Sequence, residues 1–107
     1  MAEELMHYQQ SIKQLLKEYS ELQDPEAELQ LVFDDERQRY LALWVGWSGH
    51  KRVHQCVIHI EISPQGWVVI QRNDTEELID QRLIELGIPK ERIYLGMIPA
   101  LYQERVA

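Results

Sequence analysis

The segment from Leu31 to Gln71 consists of long apolar runs separated by short polar turns, which is typical of an antiparallel β-meander. Four strands are predicted there, and their approximate ranges are 29–33, 40–47, 51–63 and 67–71. The second run is apolar at nearly every position, a pattern that usually indicates a strand covered on both faces. Strict alternation along the third run places His54 and Cys56 on one face and His59 on the other.

Helices are predicted on either side of this meander. Residues 5–22 carry apolar side chains at spacings of three and four, which form one stripe along a helix, and the Asp24-Pro25 step should end it. Residues 74–77, Asp-Thr-Glu-Glu, have the composition of a second helix start, and Gly87 suits its end. Residues 89–92 fit one further helical turn, and 93–95 fit a short extended segment.

The predicted fold class is therefore α+β, in a single domain over residues 1–107. It comprises an N-terminal helix, a four-stranded antiparallel meander, and a C-terminal helix with a short helical turn. The chain offers only two amphipathic helices, too few to cover both faces of the sheet, and we therefore expect it to form a homo-oligomer.

Charge narrows the classes of partner. Eleven basic and 18 acidic residues give a net charge of -7, which disfavours direct binding of nucleic acid and of anionic membranes and favours a basic protein partner. The N-terminus lacks the features of a secretory signal, and no run approaches the ~20 apolar residues of a membrane span. We expect a soluble, cytoplasmic protein.

Candidate chemistry is sparse. The nearest approach to a metal-ligand cluster is His54, Cys56 and His59, but strict alternation separates His59 from the other two, and zinc needs three or four converging ligands. The same argument excludes a Cys–His nucleophile pair. The acidic residues 34–36 fit a solvated turn better than a magnesium site. We therefore predict no catalytic residue, no cofactor and no metal.

Aromatic residues suggest a binding surface instead. Tyr40, Trp44 and His59 are the candidate partner-binding residues, because alternation places them on one sheet face, away from Leu41, Leu43 and Ile60. Aromatic side chains are enriched in protein interfaces. The alternative interpretation is that all three tryptophans, Trp44, Trp47 and Trp67, belong to the core.

The sequence, including the segment that carries these aromatic residues, resembles the XisI family, the fdxN element excision controlling factors of cyanobacteria. The resemblance covers nearly the whole chain, and the segments that carry it are Val32-Phe33-Asp34, Tyr40-Leu41, Val45-Gly46-Trp47, Arg52-Val53-His54, His59-Ile60-Glu61-Ile62, Trp67-Val68-Val69-Ile70-Gln71, Thr75-Glu76 and the run from Gly87 to Gly96. The chain departs from the family pattern at Asp74, where a glycine is expected, and in an altered tail after Gly96.

The resemblance implies a role beside a site-specific recombinase, during heterocyst development, with a XisH-type protein as partner. It implies no catalytic residues. The leading hypothesis is a non-enzymatic accessory or controlling factor that acts through this partner. One alternative is an antitoxin-like inhibitor of a nuclease-like partner. Another is a small ligand-binding protein or enzyme that uses His54 or His59, which a pocket with converging polar groups would favour.

Overall fold

Two α-helices and five strands make up the part of the chain that the computed structural model describes, residues 2–21 and 27–99. The order along the chain confirms the α+β class. The elements are α1 Ala2–Ser20, β1 Ala27–Asp34, β2 Arg39–Ser48, β3 Lys51–Ile62, β4 Val68–Asn73, α2 Ile79–Glu85, a 3-10 turn at Lys90–Arg92, and β5 Ile93–Leu95.

The strands form one sheet in the order β1-β2-β3-β4-β5. The first four strands are antiparallel neighbours, as the meander pattern predicts. The fifth strand, from the short extended segment, pairs in parallel with β4, from Val68 opposite Ile93 to Ile70 opposite Leu95. A parallel neighbour needs a crossover connection, and α2 lies in that connection.

One face of the sheet packs against both helices. The stripe on α1 buries Tyr8, Ile12, Leu15 and Leu16, as its spacing predicts, whereas Leu22 and the Asp24-Pro25 step lie outside the described residues. The sheet and the rest of the chain contribute Leu29, Tyr40, Ala42, Val57, Ile58, Ile60, Ile62, Val68, Ile70, Ile79, Leu83, Ile88 and Leu95 to the same buried cluster. Neither helix is long and apolar enough to cross a membrane, as far as the described ranges go.

The second helix begins later than the sequence predicts. Its first residue is Ile79, because Asn73 and Thr75 hold the preceding residues in tight turns. The Asn73 side chain accepts from the Thr75 backbone N–H at 3.1 Å and donates to the Glu77 carbonyl at 2.9 Å. Short polar side chains compete with helices in this way, since they offer the backbone an alternative set of hydrogen bonds.

Asp74, at the position where the resemblance leads us to expect a glycine, joins neighbouring strands. Its carboxylate accepts hydrogen bonds from Gln55 and, at 3.3 Å, from Arg72. The Arg72 side chain also donates to the Cys56 carbonyl at 2.7 Å. The departure at Asp74 therefore adds polar contacts that a glycine could not make.

Gly87 ends α2 in the left-handed conformation, with a φ of 107°, as its position predicts. The backbone N–H of Ile88 reaches back to the Leu83 carbonyl at 3.0 Å. A Cβ at Gly87 would lie 2.7 Å from the His7 ring nitrogen, so this position also allows α1 and α2 to approach each other closely.

A β-bulge in β3 changes which of its side chains share a face. Ala42 pairs with Ile58 but the next residue, Leu43, pairs with Cys56, so Val57 is the extra residue. Beyond the bulge the alternation reverses, and His59 opposes Leu41. His54, Cys56 and His59 consequently lie on one face, and the prediction that His59 faces away from the other two is wrong.

The prediction that Tyr40 and Trp44 share a face with His59 is also wrong. Tyr40 is fully buried on the helix side, opposite Phe33 and Ile60, and its hydroxyl donates to Asp35 at 2.7 Å. Trp44 lies on the same side and meets Tyr19 of α1 edge to face, with ring centroids 6.5 Å apart. The physical reason is that a strand apolar on both sides gives no sign of which side the helices will cover.

These positions predict a large loss of stability when Trp44 is truncated and a small change when Trp47 is truncated. Trp44→Ala should lower the free energy of unfolding by about 2 kcal/mol or more, because it empties space between β2 and α1. Trp47→Ala should change it by less than about 0.5 kcal/mol, because Trp47 is 56% exposed. Urea unfolding of both variants measures the difference, and equal losses would contradict the assignment of sheet faces.

Candidate protein-binding surface

The sheet face away from the helices, here called the open face, is formed by Val32, Leu41, Leu43, Val45 and Trp47 together with His54, Cys56 and His59. Cross-strand pairing places these residues together: Leu41 opposes both Val32 and His59, Leu43 opposes Cys56, and Val45 opposes His54. Both described helices pack on the other side of the sheet.

An apolar stripe follows β2 along the open face. Leu41, Leu43 and Val45 are half-buried, while Val32 and Trp47 are 43% and 56% exposed. The sequence pattern alone predicts that both faces of β2 are packed against other parts of the protein. In the described part of the chain, the helices pack against one face only. Contiguous exposed apolar groups of this kind mark interaction sites.

A polar corner borders the stripe where β2, β3 and β4 meet. Glu61 accepts hydrogen bonds from Arg39 at 2.8 Å and from Gln71 at 2.6 Å. Burial raises the pKa of Glu61, but the Gln71 hydrogen bond and the charges of His59 and Arg39 more than offset it, so the pKa is lowered overall. The Glu61 carboxylate therefore stays charged at neutral pH.

His59 is the one candidate binding residue that the structure leaves on the open face. Its Nε2 atom is buried, forms no hydrogen bond, and lies 3.7 Å from the nearest Glu61 oxygen. A buried ring nitrogen without a hydrogen bond is costly to the free protein. Because Nε2 is enclosed while the side chain as a whole is 31% exposed, a partner would contact the rest of the ring.

Catalytic use of these groups finds little support in the geometry. Burial raises the pKa of the Cys56 thiol, although the nearby Arg72 charge opposes this, and a thiol nucleophile needs the reverse. His54 is exposed on the flat sheet surface. Within residues 2–21 and 27–99, no three His, Cys, Asp or Glu side chains are placed to hold a metal ion.

The acidic turn between β1 and β2 is held by structural contacts. Asp35 accepts from the Lys13 ammonium at 2.7 Å and from the Tyr40 hydroxyl at 2.7 Å, which joins α1 to the hairpin. Asp34 pairs with Arg37 at 3.1 Å within the turn. The charge of Asp35 is therefore balanced by Lys13.

A groove of about 530 Å³ lies on the opposite side of the molecule, between α1 and α2. The sequence alone does not indicate this groove, because the groove depends on how two helices that are far apart in sequence approach each other. Its buried and half-buried lining residues are apolar, and they are Leu15, Tyr19 and Ile79. Its rim carries the exposed Leu78 together with the carboxylates of Glu18, Glu76, Glu77 and Glu85.

Arg82 joins the two helices at the edge of this groove. Its guanidinium donates two hydrogen bonds to the Glu18 carboxylate, at 2.8 and 2.6 Å, and a third to Glu85 at 3.2 Å. The bonds from Arg82, with one from Gln14, lower the pKa of Glu18 from 4.5 to about 2. Glu18 therefore remains ionised at any pH at which the protein is ordinarily handled.

The Glu18–Arg82 pair predicts part of the response to acid. Because the folded pKa of Glu18 lies below the unfolded one, the pair stabilises the fold above pH 4.5 and loses this effect as the pH falls towards 2. The pair is partly exposed, so its contribution at neutral pH should stay below about 1 kcal/mol.

Urea unfolding at pH 7 and pH 3 measures this contribution. Arg82→Met should lower stability at pH 7 and narrow the difference between the two pH values, whereas Lys17→Met, which removes an exposed cation of α1 outside the groove, should leave that difference unchanged. An identical pH difference in Arg82→Met and the parent protein would show that the pair has no such role.

Comparisons with known proteins agree with this architecture. The family model described as XisI protein matches residues 1–106. The solved structure of a XisI-like protein from Anabaena variabilis is 35% identical, with a TM-score of 0.86 and 94% of each chain covered. That of the fdxN element excision controlling factor XisI from the same organism is 30% identical, with a TM-score of 0.81 and 95% of this chain and 94% of the other covered. No match was found among the curated proteins.

Proposed function

Because the chain belongs to the XisI family, we propose that it is a non-enzymatic controlling factor for excision of a DNA element. One similar protein of solved structure carries the name of such a factor for the fdxN element. We propose further that the chain acts by binding a protein partner of the XisH type. The observation that carries this proposal is the open face, an apolar sheet surface that neither described helix covers.

The open face has the composition of a protein-binding surface. Trp47 offers a large exposed aromatic side chain, and Leu43 and Val45 continue the apolar stripe beside it. Interface energy usually concentrates in a few such anchors, surrounded by groups that exclude water. The polar corner around Glu61 adds hydrogen-bonded groups at the edge of the stripe. An apolar centre with a polar border is the usual composition of a specific protein interface.

Binding fits the open face better than catalysis does. His54 and His59 lie on a flat sheet surface, and neither lines the groove between the helices. The Cys56 thiol has a raised pKa and is therefore protonated at neutral pH. Two further grooves border the end of β3 and the turn that follows it, and neither is lined by His54 or His59. These grooves therefore do not place converging polar groups around either histidine, as an enzyme pocket would.

Capture of the partner tests the proposal directly. A purified XisH-type protein should bind this chain, and Trp47→Ala should weaken the complex at least tenfold, because it removes the exposed anchor. Titration calorimetry gives the affinity, and thermal unfolding should show that the variant is still folded. Met6→Ala provides a matched control, since Met6 is 61% exposed on α1 and does not belong to the open face.

Two results would overturn the assignment of this surface. The first is a complex that is equally strong with Trp47→Ala and Met6→Ala, which would place the binding site elsewhere. The second is the absence of any complex with the XisH-type protein, which would remove the proposed partner. In neither case would the fold or the family membership of the chain change.

We also propose that the open face joins two copies of this chain when no partner is present. Light scattering at micromolar concentration should then report more than the monomer mass of 12.7 kDa. Val32→Lys should shift the mass towards the monomer, because it introduces a charge at an exposed position beside Leu41. A parent protein that is monomeric throughout the concentration series would contradict this proposal and leave partner binding untouched.

A further inference from the structure

We propose that the groove between α1 and α2 is a second docking surface, for a basic amphipathic segment of a protein partner. The segment would carry a large apolar side chain flanked by lysines or arginines. This proposal does not depend on the open face, which lies on the other side of the sheet. The apolar residues of the groove, its rim charges and its size each support it.

Leu78 on the groove rim has no evident structural task. Its side chain is 72% exposed, so it adds little to the core. It occupies the N-cap of α2, where it makes no capping hydrogen bond. Serine, threonine, aspartate and asparagine stabilise that position, and leucine is among the poorest residues for it. An exposed leucine at a site where the helix would benefit from a polar residue indicates a contact with something outside this chain.

Charge on the rim selects the kind of partner. The groove is lined by four carboxylates, on Glu18, Glu76, Glu77 and Glu85, and by one guanidinium, on Arg82. Arg82 is already engaged by Glu18 and Glu85, at 2.6 and 3.2 Å. Glu76 and Glu77 are exposed beside Leu78. The groove thus presents an apolar surface within a negative field, which attracts cationic groups.

The same charges exclude the other classes of occupant. A second copy of this chain would bring its own net charge of -7 to an already acidic rim. Nucleic acid and anionic lipid are repelled for the same reason. The volume of about 530 Å³ is within the range of pockets that enclose small ligands, and suits one or two large side chains rather than a folded domain. A basic segment with an apolar anchor fits both constraints.

A synthetic peptide tests this inference. The probe is an amphipathic peptide of about 14 residues, or four helical turns, built from leucine and lysine, and its counterpart has every lysine replaced by glutamate. Fluorescence anisotropy should show micromolar binding of the lysine peptide to the full chain and none of the glutamate peptide. Rising salt should weaken the complex, because exposed charges are screened.

Three variants separate docking in the groove from general attraction between opposite charges. Leu78→Ser should weaken binding at least tenfold while the melting temperature stays the same or rises, since serine is the better N-cap. Glu76→Lys combined with Glu77→Lys should abolish binding. Glu3→Lys combined with Glu36→Lys, an equal change of charge at exposed positions outside the groove, should have little effect.

The proposal is overturned if the lysine peptide does not bind, if both pairs of charge reversals weaken binding equally, or if Leu78→Ser binds as well as the parent chain. Loss of the peptide complex in Trp47→Ala with none in Leu78→Ser would instead place the peptide on the open face.

Discussion

The structure is governed by one constraint: a sheet has two faces, and the two helices that the structure describes both pack against one of them. The apolar stripe of α1, which includes Ile12 and Leu16, packs against β1 and β2. Tyr40, Ile58 and Ile60 are fully enclosed in the same core. That contact fixes which side of every strand is interior. The other apolar side chains of β2 are then left on the opposite face, and they are Leu41, Leu43, Val45 and Trp47. The open face is therefore a consequence of how the core closes.

Much of this fold can be predicted from the chain, because its strongest signals are local. Helical spacing along α1, the glycine that ends α2, and the polar turns of the meander each act within a few residues. The bulge at Val57 has no such signal. It depends on the register between β2 and β3, and one extra residue moves His59 from one face to the other. The assignment of Tyr40 and Trp44 failed for a related reason, since β2 is apolar on both sides.

The two candidate surfaces differ in how far the sequence could indicate them. An apolar strand with too few helices to cover it predicts an open face, although not which residues form it. The groove depends on contact between helices that are distant in sequence, which the Glu18–Arg82 pair and the close approach of His7 to Gly87 hold in place. The acidic composition of the chain indicates only the sign of the charge that the groove carries. The predicted helix start at residues 74–77 places Leu78 inside the helix as an ordinary apolar residue. Only the observed start at Ile79 shows that Leu78 occupies the N-cap.

The proposed surfaces rely on different physical forces, and this bears on how an acidic chain could control a reaction on DNA. The open face is mainly apolar, so contacts there should depend little on salt, whereas the groove is acidic and contacts there should weaken as salt screens them. A net charge of -7 disfavours direct contact between the chain and the phosphate backbone. The proposed controlling role would then be exercised through proteins that reach DNA, and basic segments of the kind proposed for the groove are characteristic of such proteins. With one partner held by apolar contact and a second by charge, on opposite sides of one sheet, both contacts can form at once. Control would then arise from which proteins the chain holds together, without any chemical step of its own.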